Sequence, residues 1–167
     1  MKFGKHDLGG KLYGTPYMIA DSFHNHITFV DGEGTNDGAI HRKGSTELKS
    51  RDEVVIPLSM SRGSLIVKKG NEYEAGIALN SCSHGAGRKL SRFDAMKHWR
   101  TTLKEKERKQ YRERFSELLD RSGEFPSGYL QEFDYAYKDS SDILIQQPYL
   151  KKVTQTTPVV TVKYTEI

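Results

Sequence analysis

The chain has 167 residues, 35% apolar and 29% charged, with a mean hydropathy of −0.69. That balance excludes a disordered chain, and no apolar run approaches bilayer-spanning length, so a membrane-embedded protein is excluded as well. A net charge of +4 with a pI near 9.0 suits a nucleotide or nucleic-acid partner, while the single cysteine, Cys82, rules out an internal disulfide and fits a cytoplasmic location.

Residues 1–16 carry Gly4, Gly9, Gly10, Gly14 and Pro16 and read as an irregular lead-in. Tyr17-Met18-Ile19-Ala20 and Ile27-Thr28-Phe29-Val30 are apolar runs, the second with high strand propensity. Residues 31–38 read as a turn or longer loop; Ala39-Ile40-His41 leads from it to a basic turn at 42–46. Strands are expected over 53–57 and 64–68, joined by the serine-rich segment 59–63, and a third short one over 74–80. From Phe93 to about Arg121 the periodicity predicts one long helix. Phe93, Met96, Trp99 and Leu103 recur at three and four, as do Tyr111, Phe115, Leu118 and Leu119. The charged stretch 104–110 between them reads as solvated, or as a break between two helices. Ser122-Gly123 supplies the stop. Residues 125–138 are aromatic-rich and irregular, and 139–147 suit a short helix capped by Asp139 or Ser140. Residues 152–154 and 159–164 alternate like strands. No linker interrupts the chain, so it reads as one domain over 1–167. The class is α+β, with mixed or antiparallel strands and one long helix.

The chemistry concentrates in Ser83-His84-Gly85-Ala86-Gly87-Arg88, followed by Leu90-Ser91-Arg92. Two glycines allow a tight turn and close approach of backbone N–H groups to a ligand. A helix start beyond the loop favours an anion, and Arg88, Lys89 and Arg92 add cations that suit phosphate. His84 stands at the mouth of this cradle, and an imidazole can attack phosphorus. A Gly-x-Gly with basic neighbours is also a common ordinary turn, so spacing alone leaves both readings open.

This stretch resembles the HGAGR…SR signature of the RtcB family of RNA-splicing ligases. Five more stretches resemble the same family in the same order. Phe23-His24-Asn25 is similar to its HN motif, and residues 41–46 to its RKG turn. Residues 56–64 resemble its P-G-S-M-G-x-x-S nucleotide loop. Glu132 with Ala136-Tyr137-Lys138-Asp139 resembles E-x-P-x-A-Y-K-D, and Val160-Thr161-Val162-Lys163 its closing V-x-V-K. The resemblance implies that His84 is the nucleophile that accepts GMP from GTP, and that His24 binds manganese. It also implies nucleotide contacts from Asn25, Pro57, Ser59, Met60, Ser64, Gly85, Ala86, Gly87, Arg88 and Lys163. The fold expected is that of the family's C-terminal half. The reaction expected joins RNA ending in a 3′-phosphate or 2′,3′-cyclic phosphate to 5′-hydroxyl RNA, with GTP and Mn2+.

There are departures. Leu58 and Ser61 stand where the loop has glycines, Leu65 where an aromatic is usual, and Asp134 where a proline is usual. The chain resembles only the C-terminal part of family members, and the Asp-x-Cys-Gly and Gly-Asn-His-Phe motifs that supply most metal ligands are absent. The resemblance therefore implies a separate N-terminal polypeptide that completes the metal site. The alternative is a GTP- or RNA-binding remnant without catalysis, or an interaction subunit. His24 and His26 share a strand face either as metal neighbours or as surface polar residues. The basic residues of 97–114, interleaved with glutamates, read as a salt-bridged solvated face or as an RNA contact.

Overall fold

The computed structural model describes residues 25–32, 35–49 and 53–158. It is a mixed α+β arrangement with antiparallel sheets, as the order of expected strands and helices implies. β1 (Asn25–Gly32) pairs with β2 (Thr35–Lys43), β3 (Ser45–Glu47) with a later strand β6 (Ser81–Ser83), and β4 (Val54–Ser59), β5 (Gly63–Lys69) and β7 (Leu150–Gln155) form a three-stranded sheet in the order β4-β5-β7. The strands expected at 27–30, 53–57, 64–68 and 152–154 are all present. The expected runs at 17–20 and 159–164 lie outside the described residues.

Three expectations are corrected. Residues 35–38, read as loop, belong to β2, and so does Arg42, read as part of a basic turn. Arg42 is buried because its guanidinium finds a full set of oxygens. It donates to Ser81 Oγ at 2.9 Å, Thr28 Oγ1 at 2.9 Å and the Leu79 carbonyl at 2.8 Å, with Glu47 at 3.8 Å. The turn that remains is Gly44 alone, at φ +73°. Residues 74–80, read as a strand, hold most of helix α1 (Glu72–Ile77). Asn71 caps it by accepting the Glu74 N–H, and two acidic residues in the first turn suit its positive end. Leu79 and Asn80 then take positive φ, which reverses the chain into β6.

The third correction is the long helix. It is two helices, α2 (Arg92–Thr101) and α3 (Glu105–Arg114), followed by a 3-10 turn at Ser116–Leu118. Glu107 reaches back to accept the Lys104 N–H at 2.9 Å, an interaction that starts a new helix rather than continuing one. Thr101 bonds back to the Lys97 carbonyl just before the break. The period of three and four survives because Trp99 of α2 and Tyr111 of α3 face one aromatic cluster. Short helices α4 (Ser127–Leu130) and α5 (Ser141–Gln146) complete the α-helices among the described residues. Asp139, as expected, is the acceptor at the start of α5, taking both the N–H and hydroxyl of Ser141. Among the described residues no helix is long and apolar enough to cross a membrane.

Two buried clusters result. One packs Leu48, Val54, Ile56, Leu58, Leu65, Val67 and Cys82 between the sheets and α5. The other gathers Trp99, Phe125, Leu130 and Phe133 with Tyr111, Phe115 and Met60. Phe133 is fully buried and meets five rings at centroid distances of 4.8 to 6.0 Å, in edge-on or tilted geometry. Phe133→Ala should therefore lower stability by about 3–5 kcal/mol, read by urea unfolding. A loss below about 1 kcal/mol would mean that the ring cluster does not carry this half of the chain.

Candidate functional site

The segment 84–90 crosses from one buried cluster to the other, and main-chain bonds hold it on both sides. On the β side, the Ala86 N–H donates to the Pro57 carbonyl at 3.0 Å and the His84 N–H to the Gly44 carbonyl at 3.5 Å. On the aromatic side, Lys89 N–H donates to the Ala136 carbonyl and Lys138 N–H to the Gly87 carbonyl, both at 3.0 Å, around a bridge between Arg88 and Tyr137. Gly87 takes φ +73° at the corner, where an L side chain would be strained.

These bonds lay His84, Gly85, Ala86, Gly87 and Arg88 against the β4–β5 connection. Together they surround a cavity of about 640 Å3 whose walls include Pro57, Leu58, Ser59, Met60, Gly63 and Ser64. Every sequence-predicted residue of the two loops borders this one cavity. The volume is of the size that takes a small organic ligand such as a nucleotide. Leu58, which replaces a loop glycine, borders the cavity yet is buried in the β cluster. Leu65 is likewise a core residue. Ser61 is buried and its hydroxyl lies 3.2 Å from that of Ser59.

Asn25 does not border the cavity. It is exposed at the start of β1, opposite Lys43, the neighbour of Gly44. A Cβ on Gly44 would lie 3.9 Å from His84 Nε2, so the Gly44 turn and the His84 ring are close neighbours. His24 and Lys163 lie outside the described residues. Among the described residues no three His, Cys, Asp or Glu side chains gather as a metal site would require, so the described donors do not make up a manganese site.

Arg88 is held by protein oxygens. Its guanidinium donates to the Leu90 carbonyl at 3.1 Å, the Gln131 carbonyl at 2.6 Å and the Tyr137 hydroxyl at 3.1 Å, pairs with Glu132 at 3.6 Å and stacks on the Tyr137 ring at 4.9 Å. Tyr137 in turn donates to Glu132. Burial, reinforced by the Glu132 carboxylate, pushes the Tyr137 phenol up to about 12, so it remains a donor at neutral pH. At the start of α2, Ser91 Oγ accepts the Asp94 N–H at 3.0 Å. Lys89 and Arg92 are exposed beside it. Cys82 is buried, and desolvation raises its thiol to about 12, which makes it a core residue rather than a nucleophile.

Sequence reasoning missed a wall of the site. Thr156 and Pro158, beyond β7, border the cavity. Thr156 is tied to the start of β5: its N–H donates to the Ser64 carbonyl at 2.9 Å, and its Oγ1 accepts the Ser64 N–H at 2.9 Å. Gly63 makes room for this contact. At φ +74°, a Cβ there would lie 2.1 Å from the Thr156 carbonyl oxygen. No residue pattern around Thr156 announces the contact, although the glycine at 63 hints that something approaches closely. Gly63→Ala should cost about 1–2 kcal/mol from the backbone alone and free the Thr156 segment from the cavity wall. Amide exchange at Thr156 and Ser64 checks this, and unchanged protection at both would contradict it.

Compared with known families, residues 11–164 match the model described as tRNA-splicing ligase RtcB. No curated protein matches the chain.

Proposed function

The chain belongs to the RtcB family of tRNA-splicing ligases, and from that premise we propose that the cavity between the 57–64 and 84–88 loops is its guanylate site. The observation that carries this reading is that both loops, chosen from the sequence alone, border one cavity with His84 at its wall. Pro57, Ser59, Met60, Ser64 and the Gly85-Ala86-Gly87 turn hold the nucleotide, and Lys163 contacts the guanine. A ring nitrogen of His84 attacks the α-phosphorus of GTP. A nitrogen–phosphorus bond forms, the bond to the β-phosphate oxygen breaks, and pyrophosphate leaves. The GMP then passes to an RNA 3′-phosphate, and the 5′-hydroxyl of the second RNA displaces it to form the phosphodiester. Arg88 serves first as the brace of this loop, because its donors are committed to Leu90, Gln131 and Tyr137.

The chain acts as one domain that corresponds to the C-terminal, guanylate-accepting part of the ligase. Manganese is expected from the family, with His24 as one ligand and the others supplied from outside these 167 residues. A second reading, an RNA- or protein-binding module without catalysis, draws support from exposed apolar side chains. Ile27 and Phe29 share one face of β1, and Tyr73 and Ile77 one face of α1, all more than half exposed.

Incubation with α-labelled GTP and manganese, with the rest of the ligase supplied, separates the readings. Label should appear on His84, be lost in acid and survive base, and vanish in His84→Ala. Label on a lysine, or label that survives His84→Ala, would overturn the nucleophile assignment; no label under any condition would favour the binding module.

A further inference from the structure

The side chain of Gln147 grips the residue just before His84 at two points. Its Oε1 accepts the Ser83 N–H at 2.9 Å, and its Nε2 donates to Ser83 Oγ at 2.6 Å. We propose that Gln147 is a positioning residue for His84, acting through Ser83; the inference rests on the guanylate reading above.

The need for such a residue follows from the sheet. Among the described residues β6, three residues long, pairs only with the three of β3, Ser45 opposite Ser83 and Glu47 opposite Ser81. A two-stranded ladder of this length does not hold itself in water. The Ser83 N–H turns away from β3, while the next one, of His84, turns back toward the Gly44 carbonyl. The amide of Gln147 thus takes the place of a third strand on the far side of β6. Tyr149 supports it from the same corner, with its hydroxyl 2.8 Å from the Ser81 carbonyl and 3.3 Å from Gln147 Oε1.

Gln147 is itself fixed. It ends α5, where its N–H donates to the Ile143 carbonyl and its carbonyl accepts the Leu150 N–H, both at 3.0 Å. Ile143 and Leu150 are buried in the β cluster. A rigid corner therefore sets where Ser83 sits, and through one peptide bond where the His84 ring enters the cavity. In a nucleophilic attack, a misplacement of about 1 Å can cost on the order of a hundredfold in rate.

The experiment compares the full chain with Gln147→Leu, Gln147→Glu and, as control, substitution of the exposed neighbour, Gln146→Leu. The first readout needs no GTP. In Gln147→Leu the Ser83 amide should exchange at least tenfold faster and the His84 ring resonances should shift, while β4 and β5 amides keep their protection. Gln146→Leu should do neither. The second readout is His84 labelling by GTP, in the setting that labels the unsubstituted chain. Gln147→Leu should slow labelling at saturating GTP by ten- to a hundredfold and move the half-saturating GTP concentration less than about threefold. Gln147→Glu should recover most of the rate, because a carboxylate accepts from both the Ser83 N–H and the Ser83 hydroxyl. Labelling of Gln147→Leu at the original rate, or a loss equal to that in Gln146→Leu, would overturn the proposal. If the unsubstituted chain takes no label, the guanylate reading fails on its own, and the first readout still decides: unmoved His84 resonances in Gln147→Leu would refute the positioning role.

Discussion

The structure turns on the guanidinium of Arg88. It sits where the 84–90 segment leaves the β cluster and meets the aromatic cluster, and it satisfies oxygens from three places in the chain: Leu90, Gln131 and Tyr137. Without it, the Leu90 and Gln131 carbonyls would lose a charged donor in a partly buried setting, which is costlier than losing a neutral hydrogen bond at the surface. The planar fork matters as much as the charge, because Arg88 also lies over the Tyr137 ring while pairing with Glu132. A lysine could carry the charge but not this set of directions.

From that brace the geometry of the site follows. The segment is clamped at 136–138 on one side and at Pro57 and Gly44 on the other, so Ala86 and the two glycines that flank it have little freedom. Gly63 lets the chain beyond β7 lie against the same cavity, and Met60 reaches from its wall into the aromatic cluster. The site is therefore made of loops held by scaffold on every side, which is what a nucleophile needs if it is to meet a phosphate without first ordering its surroundings.

Much of this was legible in the sequence, and the parts that were not share a cause. The β4–β5 hairpin shows as two strand-like apolar runs and β7 as alternation, while the 84–88 loop stands out by its glycines and basic neighbours and the 57–64 loop by its family resemblance. Arg42 was misread because a basic residue beside Gly44 looks like a surface turn; only the distant oxygens of Ser81, Thr28 and Leu79 make its burial affordable. Helix α1 was misread because a run of six residues is too short for period to separate helix from strand, and the Asn71 cap decides it. The helix break at 102–104 was half visible in the charged stretch that follows it. Thr156 and Gln147 were invisible because each acts on a partner more than sixty residues away.

The central claim is that the 57–64 and 84–88 loops bind one nucleotide together. Titrating GMP into the 15N-labelled chain and following its amide resonances tests it most directly. The account predicts that Ser59, Ser64, Gly85 and Gly87 shift together with a single saturation curve, with Thr156 joining them. Shifts confined to the charged faces of α2 and α3, with those amides unmoved at saturation, would contradict it.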